Sequence, residues 1–165
     1  MNPATDAWRR EIVNLLPRLR RFGRLLTRHS EFADDLVQIA VERALQRADQ
    51  WQAGTRLDSW IFRIMQNAWI DEVRSRKRHE QTFVAEEAGE QVGVSTTDAQ
   101  IDGIAVRKAL GQLSEDHRLV VGLVLVEGLP YREAAEVLGI PIGTLTSRLA
   151  RARGALQALL GGTPD

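Results

Sequence analysis

The chain contains no cysteine, which excludes both a disulfide framework and any thiolate metal site. Histidine is scarce: His29, His79 and His117 stand far apart, without the spacing of a metal-ligating cluster. No apolar run approaches the length needed to cross a bilayer, and the N-terminus lacks a basic head followed by an apolar stretch. Neither membrane insertion nor export is therefore expected. Net charge is missing too: 22 basic residues balance 22 acidic ones, which argues against indiscriminate coating of nucleic acid. Nor is there a phosphate-cradling glycine loop, a nucleophile elbow or a paired catalytic carboxylate. These absences point to a soluble protein of a reducing cytoplasm, with no home for enzymatic chemistry and no cofactor.

What is present is helical pattern in two blocks, with no β-rich run to compete. At 165 residues and 44% hydrophobic side chains, the chain can bury one modest core or two small ones. Charge is distributed unevenly. Between Gln81 and Ala105 stand five acids (Glu86, Glu87, Glu90, Asp98 and Asp102) and no Lys or Arg, whereas Arg74 to Arg78 holds four basic residues in five positions. From His79 to about Thr97 there are too few large apolar side chains to offset the entropy of ordering a packed segment. That stretch reads as a flexible acidic linker. The expected fold is all-α: a helical domain over residues 8–79, a linker over 80–98 and a second helical domain over 99–160.

In the first block, Trp8, Ile12, Leu15, Leu16, Leu19, Phe22 and Leu26 recur at steps of three and four, the mark of an amphipathic helix. Pro17 is expected to kink that helix or to start its second half. Ser30 reads as the cap of the next helix, whose first turns carry Glu31, Asp34 and Asp35 at the positive end of the macrodipole, and which runs to about Ala48. The stretch from Asp49 to Arg56, with Gly54, reads as a loop. A long helix from about Leu57 to Arg78 follows, with Leu57, Ile61, Ile64 and Ala68 as its core stripe.

Two polar faces stand out here. Asp35, Gln38 and Glu42, spaced by three and four, make an acidic, hydrogen-bonding face that suits a basic helical partner, although a merely solvated face has the same composition. Asn67, Asp71, Arg74 and Arg78 fall on one stripe able to read a strand or a groove, and Asp71 can equally serve to hold Arg74 in place. Trp51, Trp60, Phe62 and Trp69 offer aromatic surface on which exposed bases stack. Trp60 lies near the core stripe and reads as buried, whereas Phe62 and Trp69 fall off it and read as contact residues.

The second block holds four helical patterns, roughly Ala99 to Leu110, Glu115 to Val126, Tyr131 to Leu138 and Ile142 to Leu160. Ser114 caps the second, Pro130 introduces the third, and Gly139 ends the third where a left-handed residue is favoured. The last two have the layout of a helix-turn-helix. If Ala134, Ala135 and Leu138 pack on Leu145 and Leu149, the final helix turns Thr144, Ser147, Arg148 and Arg151 outward as a polar and basic face for the major groove. Arg reaches guanine or phosphate; Thr and Ser donate to phosphates.

Four segments in this order carry a specific likeness: ADDLVQ from Ala33, LDSWIFRIMQNAWIDEVRSRKR from Leu57, LSEDHR from Leu113, and GLPYREAAEVLGIPIGTLTSRLARAR from Gly128. Over nearly its whole length the chain resembles the extracytoplasmic-function sigma factors, the minimal branch of the sigma-70 family. The resemblance implies that Asp34, Asp35, Gln38 and Glu42 lie on a helix that docks on the clamp helices of the RNA polymerase β′ subunit. It implies that the loop from Asp49 to Arg56, with Trp51, Phe62, Asn67, Trp69, Asp71, Arg74 and Arg78, opens and reads the −10 promoter element. Thr144, Thr146, Ser147, Arg148 and Arg151 would read duplex DNA at −35, with the β flap as a further partner of that domain. The acidic linker would thread the polymerase channel later used by RNA, and an anti-sigma factor would control the whole. Two positions depart from the pattern: Thr146, where many relatives carry Lys or Arg, and Leu129-Pro130, in place of the usual Ser or Thr cap region. A decoy that sequesters an anti-sigma factor without binding promoters is the alternative. Such mimics carry a receiver domain and lose basic DNA-facing residues, while this chain keeps Arg74, Arg78, Arg148 and Arg151. A plain helix-turn-helix repressor leaves the first domain unexplained.

Overall fold

Apolar residues at helical spacing organise the described part of the chain into seven α-helices, without a strand. The computed structural model describes residues 6–80 and 98–161, the side chains of 79, 80 and 98–102 excepted. The linker expected over 80–98 thus falls almost wholly outside them. The helices are α1 (Asp6–Thr27), α2 (Ser30–Gln46), α3 (Leu57–Glu80), α4 (Asp98–Gln112), α5 (Glu115–Val121), α6 (Tyr131–Leu138) and α7 (Ile142–Leu159). The architecture is all-α, as expected, and the chain divides into two units, residues 1–90 and 91–165.

In the first unit α1, α2 and α3 each pack against the other two. Trp8, Ile12, Leu19, Phe22 and Leu26 supply the buried stripe of α1. That helix runs through Pro17, so of the two expected outcomes, a kink or a new start, the new start does not occur. Pro17 stands on the exposed side, where water can satisfy the carbonyl that loses its donor. α1 comes close to α2 at Gly23: a Cβ built there would lie 3.3 Å from both the Cβ and the carbonyl oxygen of Ala33. The turn between them is also built differently from expectation. His29, not Ser30, occupies the cap position of α2, and its own backbone N–H donates to the Thr27 hydroxyl at 3.2 Å. Arg28 adopts a left-handed φ of 63° to make the reversal.

The expected core stripe of α3, Leu57, Ile61, Ile64 and Ala68, is buried, but the buried arc is wider than that stripe: Met65 belongs to it, and so does Phe62, at 0% exposure. Its ring meets Phe22 edge-on at 5.1 Å, and the Arg18 guanidinium lies 5.4 Å from its centroid. The physical reason is that α3 packs on two helices at once, so the apolar arc it must present is wider than a single stripe. Trp51, 7% exposed, is likewise sunk beside Trp8, with ring centroids 6.1 Å apart, and Trp8 lies 6.3 Å from Trp60. Phe62 and Trp51 are packing residues, not the base contacts expected of them.

In the second unit Ser114 caps α5 as its side chain accepts from the His117 N–H at 3.3 Å. The expected helix to Val126 does not continue as α. At Gly122 it widens into a π-helical turn, Gly122–Val126, in which the Glu127 N–H reaches back to the Gly122 carbonyl at 2.8 Å. That turn leaves Leu125 and Val126 exposed while Leu123 and Glu127 are buried. Pro130 precedes α6 without a side-chain cap, and Gly139 closes it at φ 66°. Only a residue without a Cβ adopts that conformation cheaply. Ala134, Ala135, Leu145 and Leu149 are buried where α6 and α7 pack.

If Phe62 is core, Phe62→Ala leaves a cavity and lowers unfolding stability by about 3–5 kcal/mol. The expected reading is a lower urea midpoint at an unchanged m-value.

Candidate nucleic-acid interface

The side chains singled out on α2 share one solvent-facing surface. Asp34, Asp35, Gln38 and Glu42 are all exposed, and the Gln38 amide donates to Glu42 at 3.4 Å. Beside them runs an open groove of about 560 Å³ between α1 and α2, lined by Leu16, Arg20, Asp34, Val37, Gln38, Val41 and Glu42. Leu45 and Ile39 are also exposed on α2, so a partner would meet acid, amide and apolar surface together.

On α3, Asn67, Asp71, Arg74 and Arg78 are all exposed. Asp71 does not hold Arg74. Its carboxylate lies 3.6 Å from Arg43 of α2, and the Arg78 guanidinium bonds to the Arg74 carbonyl at 3.5 Å. Trp69 is brought to a different side, since two residues of helix turn a side chain by roughly 200°. There, half-buried, it lies 5.9 Å from the guanidinium of Arg76, which covers the Phe32 ring at 3.8 Å and pairs with Glu72 at 3.2 Å. Arg76 is thus a basic residue held by packing, and it escaped the sequence reading because Phe32 lies on another helix.

Ahead of α3, the loop is fixed by a cluster that sequence reading missed. Asp58 is 8% exposed. Its carboxylate accepts from Arg56 Nε at 3.1 Å and Nη2 at 2.9 Å, and from the Ser59 N–H at 2.7 Å. Arg18 Nη1 of α1 lies 3.1 Å away. Burial works to raise the pKa of this group, but the hydrogen bonds from Arg56 and Ser59 and the charges of Arg56 and Arg18 outweigh it, leaving the carboxyl below its ordinary value. The one local signal was an acid in the first turn of a helix beside an arginine. The Arg18 contact, forty residues away in sequence, had none.

On α7, Ser147 and Arg151 are exposed and tied together, with the Arg151 Nη2 donating to the Ser147 hydroxyl at 3.0 Å. Arg148 is half-buried at the flank and sits 3.6 Å from Asp116 of α5. Thr144 is also half-buried, so the outward face is narrower than the spacing suggested. The exposed Thr146 turns its hydroxyl to the Ile142 carbonyl at 2.9 Å. The N-terminal turn of α7 follows the left-handed Gly139 closely, the layout of a helix that enters a groove.

Both units match known families. Residues 12–66 match the model described as the Sigma2 domain of PhyR, and residues 104–156 that described as sigma-70, region 4. The ECF RNA polymerase sigma factor EcfG of Rhodopseudomonas palustris (strain TIE-1) is 35% identical over 158 residues, 96% of this chain and 87% of that protein. The chain belongs to the ECF sigma factors. SigM of Mycobacterium tuberculosis (strain H37Rv), another ECF RNA polymerase sigma factor, is 38% identical over 144 residues, covering 87% of this sigma factor and 71% of SigM. The sigma factor RpoE from Bartonella quintana, solved with the anti-sigma factor NepR, matches with a TM-score of 0.79 and 33% identity, over 95% of this chain and 98% of that one. Among the described residues no helix of this sigma factor is long and apolar enough to cross a membrane, and no three His, Asp or Glu side chains gather to hold a metal ion.

A group whose pKa is depressed by folding stabilises the fold above its unfolded pKa, and that contribution fades as pH falls through the lower folded value. Asp58→Asn is therefore expected to cost about 1–3 kcal/mol at pH 7. The gap from wild type should narrow as urea titrations are taken down past about pH 4.

Proposed function

We propose that this sigma factor binds core RNA polymerase in the cytoplasm and directs it to a particular set of promoters, under the control of an anti-sigma factor. The observation that carries this reading is the family match running the length of the chain, with polar faces exposed on both units. The acidic face of α2 (Asp34, Asp35, Gln38 and Glu42) docks on the β′ clamp helices, where basic partners compensate its charge. Asn67, Asp71, Arg74 and Arg78 with the loop before α3 form the −10 reader. A base that leaves the stack costs a few kcal/mol, and a shaped surface plus phosphate contacts offsets it. Trp69, on another side of α3, is kept as a flanking contact. On the second unit Thr144, Ser147, Arg148 and Arg151 read the −35 duplex with Thr146 at the edge, and the exposed Leu125 and Val126 meet the β flap.

The domain roles follow: residues 8–79 for polymerase docking and −10 melting, 99–160 for −35 recognition, and the acidic stretch between them in the RNA channel. The exposed basic residues Arg74, Arg78 and Arg151 favour promoter binding over a decoy that only captures an anti-sigma factor.

Transcription reconstituted from core polymerase on a library of promoter fragments tests the proposal: initiation should depend on this chain, and a decoy would give none. Arg148→Ala with Arg151→Ala is expected to weaken binding to promoter duplex by about 1–3 kcal/mol per base-specific interaction, with a shallower salt dependence where phosphates are involved. Asp35→Lys with Glu42→Lys should reduce retention on immobilised polymerase without moving the thermal midpoint, because exposed charges contribute little to stability.

A further inference from the structure

The residues Gln52, Ala53, Gly54 and Thr55 stand exposed between two anchors of different chemistry. On one side Trp51 is held in the aromatic cluster with Trp8 and Trp60. On the other, Arg56 is gripped by the two carboxylate oxygens of Asp58 at 3.1 and 2.9 Å. Between them Gly54, at φ 90°, reverses the chain, and the N–H and hydroxyl of Thr55 both donate to the Gln52 carbonyl, at 3.1 and 2.7 Å. The result is a short, closed turn fixed at both feet.

The feet differ in what they require. The Trp51 anchor is apolar. The Arg56 anchor depends on a charged carboxylate, because a bidentate grip on a guanidinium needs two acceptor oxygens and fixes the plane of the group as well as its distance. Asp58 is fixed by its own helix: it sits in the first turn of α3, where the macrodipole favours an anion, and its oxygen takes the Ser59 N–H, while Arg18 of α1 adds an ion pair that stabilises the fold without shaping the grip on Arg56. Through this one side chain the turn is tied to α3. A turn clamped before DNA arrives gives up little freedom on binding, and it presents one geometry to a base in place of many.

We propose that Asp58 is a positioning residue for promoter recognition: by gripping Arg56 it sets the Gln52–Thr55 turn in the one arrangement that discriminates bases of the −10 element. This deepens the reading of that loop as part of the −10 reader and rests on it. Asp58 itself touches no nucleic acid.

The experiment uses the full chain with core polymerase on promoters carrying single-base substitutions in the −10 or the −35 element, scored as the ratio of initiation on the preferred and the substituted base. Asp58→Asn keeps the side chain's shape and removes its charge. The −10 ratio is expected to fall about tenfold, the scale of one good base contact, with the −35 ratio and retention on polymerase unchanged. Arg18→Met is the stability control: it loosens the hold of α1 on the carboxylate and leaves the grip on Arg56, so it should lower the thermal midpoint and keep the wild-type −10 ratio. A wild-type ratio in Asp58→Asn, or an equal loss in Arg18→Met, overturns the positioning role. Gln52→Ala with Thr55→Ala separates the two levels. If this pair flattens the −10 ratio while Asp58→Asn does not, only the positioning is wrong. If the pair leaves the ratio intact, the loop does not read −10 and the proposal falls with it.

Discussion

Burial of α3 against α1 and α2 together is the constraint on which the first unit depends. A helix packed on one neighbour buries a stripe; packed on two, it must be apolar over a wide arc, and Ile61, Phe62 and Met65 supply that arc. Each large side chain so buried contributes about 1.5–3 kcal/mol, against about 0–1 kcal/mol for a surface ion pair. Packing therefore decides how α3 is rotated, and ion pairs such as Arg43 with Asp71 only trim it. The exposed stripe of Asn67, Asp71, Arg74 and Arg78 is what the arc leaves over. Its aim is as firm as the core, because both belong to one rigid rod.

Much of this was legible in the residues. Periodicity and end signals located all seven helices, and Ser114 at a cap and Gly139 at a left-handed end were read correctly from local chemistry, whereas the start of α2 fell one residue off, at His29 in place of Ser30. What escaped was whatever depends on a partner distant in sequence. Phe62 fell off a stripe drawn for one neighbour and turned out buried because a second helix covers it. Trp51 sits in a loop, and its burial needs Trp8 from another helix. The Asp58 cluster needs Arg18 from α1. The π-helical turn at Gly122 escaped for another reason: its sequence, GLVLV, carries the same apolar spacing as a continuing α-helix, and only the hydrogen bond from Glu127 to Gly122 distinguishes the two.

On the candidate reading face of α7 the arginines are already engaged inside the protein. Arg148 lies beside Asp116, and Arg151 bonds to Ser147. These partners are short and exposed, so the contacts cost little to exchange for a phosphate, yet they keep long side chains from sampling many rotamers. A guanidinium held near its working place loses less entropy when DNA binds than a free one does.

Charge balance completes the logic. With as many acids as bases, the chain has no excess positive field to hold it on arbitrary DNA, and the counterion release that drives non-specific binding is confined to a few arginines. Each face alone is then weak. If both faces read DNA as proposed, linking them through one chain and one polymerase turns the second contact into an intramolecular event, so that affinity becomes appreciable only where both promoter elements are present. A protein built this way selects promoters by requiring coincidence, and small, soft contacts suffice at each element because neither has to act by itself.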